Sequence, residues 1–136
     1  MLVGITIYLI IMWGSIPDQI PGHFNASGEV TRWDSKSTLV VMPVIAFVMF
    51  VGMTILERFP RIWNTGVRVT QENMHRIYRV LKSMLNTMKL VVTALLITIS
   101  LIQSLTQTLP IWFLPVFLVL IFGTIIFYIV RLVMAR

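Results

Sequence analysis

The feature that most constrains this fold is an uncharged run of 41 residues, from Leu90 to Val130. A continuous helix of that length would rise roughly 60 Å, about twice the hydrocarbon thickness of a bilayer. One straight helix cannot use that length, so the run predicts two spans joined by a bend. Pro110 and Pro115 mark the predicted bend, because proline removes a backbone donor and disfavours helix at the preceding residue.

The composition agrees with a membrane protein. Hydrophobic residues make up 57% of the chain and charged residues 12%, whereas soluble domains carry about 25% charged residues. Two further apolar stretches precede the long run, and the first lacks the basic start of a cleaved signal peptide, so we expect a retained helix. The predicted fold class is an all-α integral membrane protein, one domain over 1–136 with four transmembrane helices at about 1–16, 37–56, 89–108 and 111–133.

The distribution of lysine and arginine predicts the orientation. Residues 57–89 contain seven of these side chains, whereas residues 17–36 contain two. Because basic residues near span ends stay inside, the connection 57–88 is predicted to be cytoplasmic, the segment 17–36 extracytoplasmic, and both termini inside. The net charge of +6 is explained by these flanks, with anionic lipid rather than nucleic acid as the expected partner.

The second part of the cytoplasmic connection has the pattern of an amphipathic helix. Thr70 is a candidate N-cap, and Glu72 suits the positive end of the helix dipole. We expect the basic residues Arg76, Arg79 and Lys82 to contact anionic lipid at about 1 kcal/mol each, or else to form a docking surface for a cytoplasmic partner. The segment would then turn into, or continue as, the third span. The apolar face at helical spacing comprises Met74, Ile77, Tyr78, Leu81, Leu85 and Met88.

Polar side chains inside the spans are few. Thr93, Ser100, Ser104 and Gln107 recur on one face of the third span, where bonds between helices or a solute path would explain them. Met42, Met49 and Met53 form a stripe on the second span that suits pliable packing better than copper binding. No ionisable residue lies in the middle of a predicted span, which argues against ion-coupled transport and intramembrane proteolysis.

The segment 17–36 is the candidate site, because it concentrates charged and aromatic side chains between two apolar stretches. It is either a structural cap over the helix ends, or a site for a peptide or lipid headgroup, or a site for a divalent ion; the spacing matches no metal loop, so no metal or cofactor is expected. Pro17 and Pro21 are predicted to stiffen the start of its backbone, and residues Asn25 to Gly28 to form a turn. The candidate binding residues are Asp18, His23, Asn25, Glu29, Trp33 and Lys36.

This segment, PDQIPGHFNASGEVTRWDSK, also resembles the signature of a bacterial membrane family of unknown function. That signature runs P-D-x-I-P-x-H-F-N-x-x-G-E-x-D-x-W-x-S-K. The same domain opens the SdpI-type immunity proteins, which protect cells from a membrane-active toxin peptide. Gly22 and Thr31 stand where threonine and aspartate are more usual. The later stretch from Val67 to Leu90 is similar to the connection before the third span in short members, whereas SdpI-type proteins are longer, with additional spans.

The resemblance implies a non-enzymatic, multi-pass protein of the bacterial cytoplasmic (inner) membrane. It would act in immunity to, or sensing of, a membrane-active peptide through the segment 17–36. The alternative is an accessory subunit of a transport or envelope assembly, with the same segment as its docking surface. An enzyme would have to use His23 with Asp18, Glu29 or Asp34. Expected partners are membrane lipids and either a peptide toxin or another membrane protein, and a homo-oligomer remains open.

Overall fold

The computed structural model describes all residues from Met1 to Arg136 and is mostly helical. Single 3₁₀ turns follow α1, precede α2 and follow α2, at Trp13–Ser15, Lys36–Val40 and Pro60–Ile62. In chain order the helices and strands are α1 (Leu2–Met12), β1 (Gln19–Phe24), β2 (Val30–Ser35), α2 (Val41–Leu56), α3 (Met74–Ser104) and α4 (Phe113–Ala135).

Three helices are long and apolar enough to cross a membrane. They are α2 with its preceding turn (21 residues), α3 (31 residues) and α4 (23 residues). The first helix and its turn, Leu2–Ser15, are apolar but shorter, and would rise about 20 Å against a hydrocarbon thickness of about 30 Å. The structure therefore supports a multi-pass membrane protein, while the fourth span remains a prediction.

The predicted bend in the uncharged run is present between α3 and α4. Helix α3 ends at Ser104 rather than at residue 108, and α4 begins at Phe113. Pro110 lies in the bend, as predicted, but Pro115 lies in the first turn of α4. Proline is tolerated there because the first amides of a helix have no intrahelical partner.

Helix α3 is the centre of the bundle, since α1, α2 and α4 all pack against it. Thr93, Ser100 and Ser104 are buried on it, and the Tyr8 hydroxyl of α1 lies 3.1 Å from the Ser104 hydroxyl. Gln107, predicted to share this face, lies beyond the helix end and is exposed. Ser104 thus joins α3 to α1 where lipid offers no hydrogen bonds, whereas the buried Ser100 hydroxyl has no partner.

The segment 17–36 is not helical or irregular but forms a two-stranded antiparallel sheet, which differs from the all-α prediction. The turn at Asn25 to Gly28 was predicted, and it reverses the chain so that the strands pair. Strand pairing satisfies the backbone groups of a segment too rich in Pro, Gly and Asn for a helix. Its base is anchored by Ile20, which is fully buried among residues of α1, α3 and the turn before α2.

The hairpin and the α3–α4 bend share one end of the bundle. The Leu109 amide of the bend donates a 2.9 Å hydrogen bond to the Gly28 carbonyl of the hairpin. At the opposite end, Thr87 of α3 lies 2.7 Å from the Tyr128 hydroxyl of α4, near the connection 57–73. The hairpin and the bend therefore lie at one end of the bundle and the connection 57–73 at the other, as predicted. That the hairpin end faces outside remains a prediction.

The predicted cytoplasmic helix and the third span are one continuous helix, α3, so the segment continues as the span rather than turning into it. Thr70 and Asn73 exchange hydrogen bonds at its start: the Thr70 hydroxyl accepts from the Asn73 amide at 3.3 Å, and the Asn73 side chain accepts from the Thr70 amide at 2.7 Å. This reciprocal pair closes the turn before α3, whose N-cap residue is Asn73 rather than the predicted Thr70. Ile77 is fully buried, and Trp63 packs edge-on against Tyr78 at 5.8 Å.

Candidate functional site

The turn of the hairpin is built by Asn25. Its side-chain oxygen accepts hydrogen bonds from the amides of Ser27 and Glu29, both at 3.0 Å. Its side-chain nitrogen donates to the Glu29 carboxylate at 3.1 Å. Asparagine commonly stabilises turns in this way. Two of the candidate binding residues, Asn25 and Glu29, are therefore used within the turn, and a ligand would have to compete for them.

Gly28 docks the turn onto the bend. Its φ of +86° lies in the left-handed region that only glycine enters at little cost. A β-carbon at Gly28 would also collide with the Leu109 carbonyl oxygen. The glycine thus permits both the turn and the close approach that carries the hydrogen bond from Leu109.

The sheet contains two irregular positions. Pro21 pairs with Trp33 and His23 with Arg32, so Gly22 is unpaired on β1; Thr31 is unpaired on β2. These are the two positions where the chain departs from the usual signature. At Gly22 the absence of a side chain makes room for Asp34, whose carboxylate would overlap a β-carbon there.

The Asp34 carboxylate accepts a 2.9 Å hydrogen bond from the Arg32 guanidinium. The Arg32 side chain is 59% exposed and that of Asp34 22% exposed, so the pair lies at the rim of the hairpin. His23 stands beside Arg32 in the register and is exposed. Trp33 is 52% exposed, and Pro21, its partner, is fully buried.

The base of the hairpin is closed by a backbone bond from the Lys36 amide to the Asp18 carbonyl at 2.7 Å. The Lys36 ammonium lies 4.8 Å from the centre of the Trp13 ring, a distance at which the cation is attracted to the ring face. Pro17 lies between the Trp13–Ser15 turn and β1. The six candidate binding residues therefore fall into three places, the turn, the base and the exposed strand surface, rather than one.

No three histidine, aspartate or glutamate side chains lie together as a metal site requires. Nor does His23 hydrogen-bond to a carboxylate: Glu29 bonds to Asn25, and Asp34 bonds to Arg32. The arrangement offers charged and aromatic surface for recognition.

Beneath the hairpin lies a cavity of about 630 Å³. His23, Arg32 and Asp34 line its mouth, and apolar side chains of α2, α3 and α4 form its walls. Gln103 of α3 also lines it; this residue is 5% exposed, and its side-chain oxygen has no hydrogen-bond partner. Sequence reasoning missed Gln103, although it lies three residues after Ser100 and hence on the same helix face.

A larger cavity of about 1160 Å³ lies between α1 and α2. Its lining is apolar and includes Trp13, Phe47 and Phe50, with threonine as its only polar residue type. Nothing in this lining distinguishes a specific ligand from the hydrocarbon of the surrounding bilayer.

A second feature absent from the sequence predictions is a half-buried ion pair between α2 and α3. The Lys89 ammonium donates to the Glu57 carboxylate at 2.9 Å and to the Thr54 hydroxyl at 3.2 Å. It also lies 4.8 Å from the centre of the Phe50 ring. Arg76, Arg79 and Lys82, on the part of α3 that precedes Lys89, are exposed, so they are accessible to lipid or to a partner.

Comparison with known proteins places the recognisable part of the chain at its N-terminus. Residues 1–47 match the model of a domain of unknown function, DUF1648, and this region includes α1, the hairpin and the beginning of α2. An uncharacterised protein of Archaeoglobus fulgidus is 26% identical over 66 residues, 43% of this chain and 36% of the relative. The chain thus spans about a third of that relative's length, and no solved structure matches.

Fold and comparisons together define a mostly helical protein with three helices able to cross a membrane. Within it, the N-terminal third is similar to a domain of unknown function. The match contains all six candidate binding residues but carries no activity with it.

Proposed function

We propose that this chain is a non-enzymatic protein of a bacterial cytoplasmic membrane that recognises a membrane-active peptide through its outer hairpin, in immunity or sensing of the SdpI type. The observation that carries the proposal is the exposed surface of β2. Trp33 and Arg32 stand there, 52% and 59% exposed, on a hairpin fixed at both ends. Successive side chains of a strand project to opposite faces, so a peptide paired along the edge of β2 would meet Trp33 with its apolar side and Arg32 with its charged side.

The backbone of β2 supports the same proposal. Four of its six residues are exposed, and the sheet has two strands only, so each strand has one edge that the other does not cover. Peptides commonly bind by adding a strand to such an edge, with side chains giving specificity. The hairpin tip is docked through the contact of Gly28 with Leu109, so the edge of β2 is held in place before a peptide binds. This preorganisation lowers the entropy cost of binding.

The non-enzymatic part of the proposal rests on the separation of the acid and base groups. General acid–base chemistry needs partners within hydrogen-bond reach, but Glu29 and Asp34 are engaged with Asn25 and Arg32 instead of His23. Asp18 lies at the base of the hairpin.

A binding experiment tests the proposal. The full chain in nanodiscs is titrated with a panel of membrane-active amphipathic peptides, alongside Trp33→Ala and Arg32→Gln. Aromatic and arginine side chains carry most binding energy in interfaces, so each change should weaken binding at least about tenfold, or about 1.4 kcal/mol. Trp112→Ala is the matched control, because Trp112 is 57% exposed and lies in the bend rather than in the hairpin.

Equal losses of peptide affinity for Trp33→Ala and Trp112→Ala would show that binding does not depend on the position of the tryptophan, and would refute the hairpin site. The same variants are then expressed in peptide-sensitive cells, where Trp33→Ala should lose protection while accumulating normally in the membrane.

The alternative of an accessory subunit is favoured by one observation. Ile111 is 73% exposed and Trp112 57% exposed, beside the hairpin tip, and together they offer an apolar contact for another membrane protein. Purification in mild detergent distinguishes the two functions, because an accessory subunit should retain one partner protein at fixed stoichiometry. Loss of that partner on Ile111→Asp, with peptide binding absent throughout, would favour the subunit.

A further inference from the structure

The cavity beneath the hairpin runs along the helices. Gln103 and Leu95, both in its lining, are eight residues apart on α3, and Phe113 and Ile121 are eight residues apart on α4. Each pair spans about 12 Å along its helix. The cavity is therefore an elongated apolar channel with one charged end, at the outer ends of the spans.

The position of the channel between two helices would make it accessible from the bilayer. Helices α2 and α4 both pack on α3, and the channel lies between them, with Met42 on one side and Leu118 on the other. A lipid chain in the surrounding membrane can enter sideways, while the hairpin covers the channel from above.

Two polar groups along this path are available to a ligand, one buried without a partner and the other exposed to solvent. The Gln103 side-chain oxygen is enclosed without a hydrogen-bond partner, which is unfavourable if nothing binds there. The Arg32 guanidinium uses one nitrogen for Asp34, and its other donors are free. An occupant is thus expected to be apolar at depth, to carry hydrogen-bonding groups near Gln103, and to be charged at the mouth.

We propose that this channel binds one phospholipid of the phosphoethanolamine type. An acyl chain fills the apolar part, and the glycerol-ester region reaches Gln103, whose carboxamide both donates and accepts. The phosphate binds Arg32 bidentately, the geometry that guanidinium favours, and the ammonium faces Asp34. The Arg32–Asp34 pair, positive beside negative, is complementary to a headgroup that is itself zwitterionic.

Water alone is a poor occupant, since a buried water needs two to four polar partners and the walls below Gln103 are apolar. A purely anionic lipid would leave the carboxylate of Asp34 facing a second negative charge. The lipid site shares Arg32 with the proposed peptide surface on β2, but Trp33 does not line the channel, so Trp33→Ala should weaken peptide binding and leave lipid retention unchanged.

Native mass spectrometry of the full chain tests the inference. The delipidated protein is incubated with equal amounts of phosphatidylethanolamine and phosphatidylglycerol of identical chains. One phosphatidylethanolamine should remain per chain, favoured at least about fivefold. Ile99→Trp fills the channel and should lower retention at least about tenfold, whereas Val119→Trp, at a position 71% exposed and outside the channel, should retain the lipid.

If Ile99→Trp does not fold, judged by circular dichroism and monodispersity, Gln103→Leu replaces it, since leucine has a similar size and no polar ends. Retention should then fall several-fold. Equal retention in all variants would identify ordinary boundary lipid and overturn the proposal. Preference for phosphatidylglycerol would overturn it as well, and so would occupancy by a peptide without phospholipid.

Discussion

Replacing Gly28 with alanine should undock the hairpin from the rest of the protein. Two costs arise at this residue. Alanine at a φ of +86° costs roughly 1–2 kcal/mol, because its β-carbon approaches the following carbonyl oxygen. The same β-carbon collides with the Leu109 carbonyl oxygen, so the hairpin must move and the 2.9 Å bond from the Leu109 amide is lost, at about 1 kcal/mol.

The sum is about 2–3 kcal/mol of local docking free energy. Amide hydrogen exchange reports such local opening directly, and each 1.4 kcal/mol is tenfold in an equilibrium constant. The Leu109 amide of Gly28→Ala, measured in nanodiscs, should therefore exchange roughly 30- to 150-fold faster than in the wild type. The amides of the Lys89 region at the opposite end should be unchanged.

Gly66→Ala is the matched control, because Gly66 also has positive φ, +66°, but has open space where its β-carbon would lie. It should pay the conformational cost locally and leave the exchange of Leu109 unaltered. Gly28→Asn separates the two terms at the hairpin itself, since asparagine tolerates the left-handed region but collides as alanine does. Wild-type exchange of Leu109 in Gly28→Asn would refute the docking argument.

Three further predictions concern the opposite end of the bundle and the orientation. Lys89→Met should lower the free energy of unfolding by about 2 kcal/mol, because it leaves the half-buried Glu57 carboxylate without its partner. In an unfolding titration, the double variant Glu57→Gln/Lys89→Met should recover most of this loss. An equal loss in both variants would refute a stabilising role for the ion pair. The chain has no cysteine, so Ser27→Cys should react with an impermeant maleimide on intact cells and Asn64→Cys should not; the reverse pattern would invert the topology. Changing Arg76, Arg79 and Lys82 together to Gln should weaken the protection of residues 74–88 from amide exchange on anionic nanodiscs. The loss should be up to about 3 kcal/mol at low salt and smaller at high salt. If the protection of the wild type does not depend on salt, apolar packing is the cause of that protection.

The helices were predictable because their signals are local and long. An uncharged run too long for one span must bend, and the bend falls around Pro110. The amphipathic pattern that begins after Thr70 also agrees with the burial in the structure: Ile77 is buried and Arg76 exposed. Helix ends were less predictable: α3 ends at Ser104, two residues before Thr106, whose φ of +54° is uncommon for a residue other than glycine.

The hairpin and the ion pair were not predictable in the same way. The turn at Asn25 was recognised, but pairing of β1 with β2 requires two irregular positions, Gly22 and Thr31, that interrupt any alternating pattern. Lys89 and Glu57 are 32 residues apart, and nothing local in the sequence joins them. Gln103 was passed over for Gln107 because both suit a helical face, and only the end of α3 decides between them.

Helix α3 makes polar contacts at both ends of the bundle. Near the hairpin, α3 supplies Ser104 to Tyr8 and Gln103 to the channel; nearer the other end it supplies Lys89 to Glu57. Ser104 and Lys89 each make a polar interaction where lipid offers no competing partner, so they fix α3 relative to α1 and α2. A ligand that enters the channel changes the environment of Gln103, the one of these groups that lacks a protein partner. Coupling between the outer site and the basic end of α3 would therefore be expected to begin at Gln103, whereas Ser104 and Lys89 hold the helix in place.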